Sequence, residues 1–209
     1  MRRPDYWPQA TRDLAERDAV LRGLIERFRG VALASRGDAF TTLARSIVGQ
    51  QISVKAAQSV WERLSGRLSP VTPASVYRVR ASTLKACGLS GQKASYLRDL
   101  SGKFLDGSLE AARWYALDDE TLIGELTQVK GIGRWTAEMF LMFHLRRPDV
   151  LPVNDVGINR AIQKQYGLVA PPKPDEVRSV GQAWRPWATV ACWYLWRSED
   201  VVLPQSGDS

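Results

Sequence analysis

Apolar residues recur along this chain at spacings of three and four, while the alternation of a half-buried strand is scarcely visible. The pattern therefore predicts an all-α fold. Phe40, Leu43, Ala44, Ile47 and Val48 form one stripe, which Gly49 interrupts. After Gln50, Gln51 and Ile52, Ser53 is placed to cap a second helix carrying Ala56, Ala57, Val60, Trp61 and Leu64 on its inner face. Thr72-Pro73 opens another helix, and Gly88 closes the one holding Leu84 and Ala86. Ala94, Leu97, Leu100 and Phe104 keep the helical period from Lys93 to Asp106, and Asp118 caps a short helix running to Leu126. Pro186 fits the first turn of a final helix through Trp187, Val190, Ala191, Tyr194 and Leu195. There is no internal repeat, and the residues after Val202 read as a loose tail.

Composition narrows the function classes. A chain of 209 residues, 44% apolar and 24% charged, has enough volume for a proper core without disulfide or metal staples. Two cysteines, Cys87 and Cys192, exclude a disulfide framework, a four-thiolate zinc site and a four-cysteine iron–sulphur cluster. The single histidine, His144, excludes a multi-histidine metal centre; followed by Arg146 and Arg147, it reads as a surface residue with no role. No apolar run is long enough to span a bilayer, and Met1-Arg2-Arg3-Pro4-Asp5 lacks an apolar signal core, so a cytoplasmic protein away from the membrane is expected. A net charge of +7 favours anionic partners, nucleic acid first. The charges are scattered, however, and by themselves also fit a merely solvated surface.

The most informative stretch is Leu126-Thr127-Gln128-Val129-Lys130-Gly131-Ile132-Gly133-Arg134-Trp135-Thr136-Ala137. Two glycines around one apolar residue permit a tight turn with exposed backbone, and Ile132 can pin that turn into the core. The following helix begins at the second glycine, so its free N–H groups and dipole offer a phosphate site. A plain helix-to-helix turn is the competing explanation for any lone Gly-x-Gly. Downstream, in Leu151-Pro152-Val153-Asn154-Asp155-Val156-Gly157-Ile158-Asn159-Arg160, Asp155 precedes an apolar-periodic segment and reads as a helix N-cap.

The dozen residues of the hairpin together with the proline-containing loop and Asp155 resemble the helix-hairpin-helix base-excision glycosylase superfamily. Leu43 to Leu64, with its Ile47-Val48-Gly49-Gln50-Gln51-Ile52-Ser53 core, and the closing Trp184-Arg185-Pro186-Trp187 to Trp193-Tyr194-Leu195-Trp196 resemble the DNA-3-methyladenine glycosylase II branch. Longer members carry an extra N-terminal lobe, for which the residues before Thr41 are too few, so the core-only form is expected. Bifunctional members place a lysine two residues after the second hairpin glycine. Here that position is Trp135, so no Schiff base can form and a monofunctional hydrolase is implied.

The resemblance implies an all-α, two-lobed glycosylase of residues 1–209 with the active site in the cleft between lobes. The central lobe would run over 41–147 and contain the hairpin 126–137; the other would combine 1–40 with 148–209. Asp155 is the implied catalytic carboxylate. Breaking an N-glycosidic bond builds positive charge on the sugar. A carboxylate roughly 4 Å from that charge, at an effective dielectric near 20, is worth about 4 kcal/mol, or on the order of 10³ in rate. Asp155 could instead orient or deprotonate the attacking water. An alkylated purine is already cationic and departs without a general acid. Trp135, Met139 and Trp196 match base-pocket positions, where some relatives have tyrosine in place of Met139; the tryptophan stripe around Trp193 also fits a plain core. Gln51 matches the wedge that fills the gap left by a flipped base, or is a solvent-facing amide. Lys130, Gly131, Gly133 and Arg134 would contact DNA phosphates, and the carbonyls of Thr127, Val129 and Ile132 match a site for Na or K. The expected partner is damaged double-stranded DNA bound by a monomer associated with a bacterial-type nucleoid, and no other cofactor is implied. The implied reaction is excision of 3-methyladenine and related cationic purines to leave an abasic site. The rivals are a glycosylase for a deaminated or oxidised base and a non-catalytic DNA-binding module.

Overall fold

The computed structural model describes residues 3–33 and 37–199, and the expected loose tail lies outside them. Every regular element among the described residues is helical. The chain divides into two compact units, Gly37–Phe140 and the paired terminal segments Met1–Arg36 and Leu141–Ser209. Residues 141–147, expected in the central lobe, therefore lie with the termini. Part of the reason is the Tyr6 hydroxyl, which donates to the Arg146 carbonyl at 2.9 Å.

The terminal unit opens with α1 (Trp7–Arg17) and α2 (Ala19–Arg27), joined at Asp18. Asp18 Oδ1 caps α2 by accepting from the N–H groups of Val20 and Leu21, while Oδ2 accepts from the Tyr166 hydroxyl and the Trp184 indole. One carboxylate thereby ties the start of the chain to its last third.

The middle unit begins with α3 (Ala39–Gly49) and α4 (Val54–Arg67), capped by Asp38 and Ser53. The whole expected stripe of α3 is buried, whereas α4 buries only Val60, Trp61 and Leu64. Ala56, expected inside, is exposed, because the first turn of α4 continues a surface turn from Gln51 to Ser53. Next come α5 (Pro73–Arg78), with a Thr72–Ser75 capping box, and α6 (Ala81–Ala86). The longest helix, α7 (Gly91–Leu105), packs against α3, α5 and α6 through Ala94, Leu97 and Leu100. A 3-10 turn over Ala111–Arg113 leads to α8 (Asp119–Thr127) and, after the hairpin, to α9 (Arg134–Phe143). The unit is stitched by an edge-to-face series, Phe40–Phe104–Trp114–Phe140, with centroids 5.4, 5.9 and 5.4 Å apart.

The terminal unit resumes with α10 (Val156–Gln165), α11 (Pro174–Gly181), a 3-10 turn at Gln182–Trp184 and α12 (Ala188–Ser198). Buried on nearly every side, α12 packs on α1, α2 and α10, and Trp193 meets Trp7 edge-on at 5.3 Å. It starts at Ala188, so Pro186 stands before the helix and not in its first turn. The first helical N–H groups are met from the loop between α9 and α10: Ala188 donates to Asp149 Oδ1 at 3.1 Å and Thr189 to the Pro148 carbonyl at 3.0 Å.

Candidate functional site

In the middle unit the hairpin between α8 and α9 has the anticipated shape. Gly131 sits at φ +82°, the left-handed region that glycine enters without steric cost, and a Cβ there would overlap the ring of Tyr96. Val129 and Ile132 are 1% and 4% exposed, and the Ile132 N–H donates to the Val129 carbonyl at 3.0 Å, closing the turn. Gly133 is exposed immediately before α9, and Ala137, one turn on, is fully buried. Lys130 is exposed, and its backbone N–H donates to Asp99 Oδ2 at 2.9 Å.

Arg134 behaves differently from the expected phosphate contact. Its guanidinium makes a two-pronged bond to Glu120, and its Nε donates to Glu138 Oε1 at 3.0 Å. These bonds, chiefly that to Glu120, hold Arg134 above its ordinary pKa and Glu120 below the usual carboxylate range. The charge that the sequence offers to DNA is thus already matched by two carboxylates. The exposed pair with Glu120 is worth only about 0–1 kcal/mol, whereas the Glu138 carboxylate is nearly buried.

Gln51 is exposed and adopts φ +57°, a rare conformation for a residue with a Cβ that costs about 1 kcal/mol. Its neighbours Ile52 and Val54 are also exposed, at 41% and 67%. The turn is held from outside. The Lys93 ammonium donates to the carbonyls of Val48 at 2.8 Å and Gln50 at 2.6 Å, satisfying acceptors that the end of α3 leaves open. The Gln50 amide donates to the Gly131 carbonyl at 2.7 Å, joining this turn to the hairpin. Desolvation lowers the pKa of Lys93.

Trp135 is 51% exposed in the first turn of α9, and Met139, four residues on, is half-buried on the same helix. His144, expected at the surface, is half-buried because the chain folds back there, with the Arg147 N–H donating to the Leu141 carbonyl at 2.9 Å.

In the terminal unit, Asp155 caps α10, its Oδ1 accepting the Ile158 N–H at 2.7 Å. The same oxygen accepts the indole N–H of Trp196 at 2.9 Å. Capping and a functional role are therefore compatible, since the cap fixes where the carboxylate stands. Asp155 is 7% and Trp196 3% exposed. The indole comes this close because Gly157 lies beside it: a Cβ there would stand 3.1 Å from both Asp155 Oδ1 and Trp196 Cδ1. The loop is braced by the Asp155 N–H, which donates to the Pro152 carbonyl at 2.9 Å. The Asn159 amide, oriented by its neighbours, adds donation to the Val153 and Asp155 carbonyls at 3.3 Å. The Trp196 ring leans on Phe143 at 5.7 Å, 31° from parallel, which gives this tryptophan a core contact as well as a polar one.

Sequence reasoning missed Lys93, Tyr96, Asp99 and Gln50, whose partners lie in loops far away in the chain, and Glu120 and Glu138, which hold Arg134. Only Glu138, four residues after Arg134, left a local signal. Among the described residues no group of His, Cys, Asp and Glu is placed to hold a metal ion, and no helix is long and apolar enough to cross a membrane. The middle unit presents an exposed turn and a half-exposed tryptophan, and the terminal unit presents one nearly buried carboxylate held by two donors.

The chain is similar to known proteins in sequence and in fold. The model of the HhH-GPD superfamily of base excision DNA repair proteins matches residues 44–186. DNA-3-methyladenine glycosylase 1 of Schizosaccharomyces pombe is 32% identical over 186 residues, covering 86% of this chain and 80% of the relative. The crystal structure of a DNA-3-methyladenine glycosidase from Bacillus halodurans superposes with a TM-score of 0.84 at 35% identity, over 96% of this chain and 94% of that one. The S. pombe 3-methyladenine DNA glycosylase in complex with abasic DNA superposes with a TM-score of 0.80 at 28% identity, over 93% and 98% of the two chains. This chain belongs to the HhH-GPD superfamily of base excision DNA repair proteins.

Proposed function

We propose that the protein is a monofunctional DNA glycosylase that hydrolyses the N-glycosidic bond of alkylated bases in duplex DNA, chiefly 3-methyladenine and related cationic purines, and leaves an abasic site. The observation that carries this reading is Asp155, held through Oδ1 by the Ile158 N–H and the Trp196 indole in a nearly buried position. A carboxylate so fixed needs no reorganisation as positive charge develops on the sugar, which is where electrostatic catalysis gains most. The relatives named as methyladenine glycosylases support the substrate class. A cationic leaving group also suits a chain with one histidine.

The hairpin supports phosphate binding through the amides of Gly131 and Gly133 and the side chain of the exposed Lys130, since the Lys130 and Ile132 N–H groups are already given to Asp99 and Val129. A monovalent cation at the carbonyls of Thr127, Val129 and Ile132 would draw on the second lone pair of the Val129 oxygen, since the first accepts the Ile132 N–H. Trp135, half exposed, suits stacking on a flipped cationic base, with Met139 beside it. Gln51 suits the wedge.

The test is incubation of wild type and Asp155→Asn with methylated duplex, followed by chromatography of the released bases and borohydride trapping. Wild type should release 3-methyladenine and give no trapped adduct, because Trp135 stands where a lyase places its amine. Asp155→Asn, which keeps a capping oxygen, should remain folded and lose about 10² or more in rate. No released base from wild type, or equal rates from the two proteins, overturns the reading.

A further inference from the structure

On α7, Lys93, Tyr96 and Asp99 are spaced three apart and so share one face of the helix. Each reaches one of the two loops through which this protein would meet DNA. Lys93 holds the Gln51 turn by its Val48 and Gln50 carbonyls. Tyr96 lies against Gly131, where a side chain would overlap its ring, and its hydroxyl accepts from the Gln92 amide at 2.6 Å. Asp99 receives the backbone N–H of Lys130. Gln50 then closes the circuit by donating to the Gly131 carbonyl, so the two loops are tied both to a common helix and to each other.

We propose that the Lys93 face of α7 is a positioning device that fixes the Gln51 turn relative to the hairpin, so that Gln51 stands in register with the phosphates the hairpin grips. Lys93 and Gln50 are its positioning residues, and both act through Gln51. The physical case rests on the left-handed backbone at Gln51 and the open carbonyls at the end of α3. Neither is stabilised within the turn itself, and the Lys93 ammonium meets the two carbonyls, of Val48 and Gln50, that lead into it. A Gln carried on a freely fluctuating turn would enter a base stack only after ordering, whereas a turn already held loses nothing at that moment. The exposed Ile52 and Val54 on the same turn need the same placement to lie along a groove without folding back onto the protein. This inference rests on the glycosylase reading and deepens it.

The experiment is single-turnover excision from methylated duplex by wild type, Gln51→Ala, Lys93→Met, Lys93→Arg and the Lys93→Met/Gln51→Ala double variant. Lys93→Met keeps the length of the stem and removes the ammonium. It should slow excision by about 10- to 100-fold, the cost of a misplaced group distant from the chemistry, and Lys93→Arg should recover most of the rate. The decisive readout is epistasis: once Gln51 is Ala, adding Lys93→Met should change the rate by no more than about twofold, the scatter allowed for uncoupled sites. A merely structural lysine would multiply its loss into that of Gln51→Ala, and that result overturns the proposal. So does Gln51→Ala or Lys93→Met at the wild-type rate. If Lys93→Met fails to melt cooperatively, Gln50→Met replaces it in the same cycle, since it removes only the bond to Gly131. A wild-type protein that releases no base defeats the glycosylase reading whatever Lys93 does. An active wild type with multiplicative losses defeats the positioning role alone.

Discussion

Trp196 shows how a single side chain can resist a sequence-based assignment. Its place in an aromatic stripe suits a base pocket, yet its indole N–H is given to Asp155 and its ring leans on Phe143. Trp196→Phe separates the two roles, since it keeps an aromatic ring and deletes the donor. A hydrogen bond to a charged group is worth about 1.5–3 kcal/mol, so excision should fall by roughly 10- to 100-fold. The fall should be equal for cationic 3-methyladenine and, where it is cleaved, neutral hypoxanthine, measured as single-turnover rates on the two duplexes. A loss confined to the cationic base would instead mean that the indole face meets the base directly. Asp155 itself was legible as both cap and carboxylate, because an N-cap is a local pattern. Its bond to Trp196 was not, because 41 residues separate the partners.

Among the elements, the hairpin's two glycines look alike in sequence and differ in the structure. Gly131 combines positive φ with the Tyr96 ring, whereas a Cβ at Gly133 meets nothing within 4 Å. Gly131→Ala combines left-handed strain with overpacking, together about 2–4 kcal/mol, and should lower the melting temperature by roughly 5–15 °C. Gly133→Ala should stay within about 0.5 kcal/mol of wild type. Scanning calorimetry of the pair decides it, and equal melting temperatures would contradict the role given to Tyr96. Glu120 at the start of α8 offers a second test. Glu120→Gln frees part of the Arg134 guanidinium, so binding to undamaged duplex should tighten by about two- to tenfold at low salt, with a salt slope steeper by about 0.9. Titration by fluorescence anisotropy at several salt concentrations measures both, and an unchanged slope would show that Arg134 stays with its carboxylates. Helix positions and caps at Ser53, Thr72 and Asp118 were readable because capping is a matter of neighbours in sequence. The start of α12 was not, since its first N–H groups are met by Asp149 and Pro148, well upstream.

For the whole molecule, the proposed function has the charge of +7 and the exposed hairpin acting together on DNA. If about five phosphates are engaged, raising salt from about 50 to about 200 mM should weaken binding to undamaged duplex by roughly 10² to 10³. A nearly flat dependence in the same anisotropy assay would exclude backbone contacts as the main source of affinity. Sequence pattern alone left the division of the chain unmarked, because no linker or compositional break accompanies it and its second boundary falls inside α9. That division also bears on how the protein is made. The unit Gly37–Phe140 is continuous in the chain, so it can fold as soon as it has left the ribosome. The other unit joins a segment translated before Gly37 to one translated after Phe140. Until α12 has been synthesised, α1 and α2 have each other to pack on, but Trp7 lacks Trp193 and Tyr194, the aromatic partners against which it is buried in the finished protein. The interval of translation between α2 and α12 is therefore the period when the nascent chain carries α1 and α2 without the helix that packs on them both.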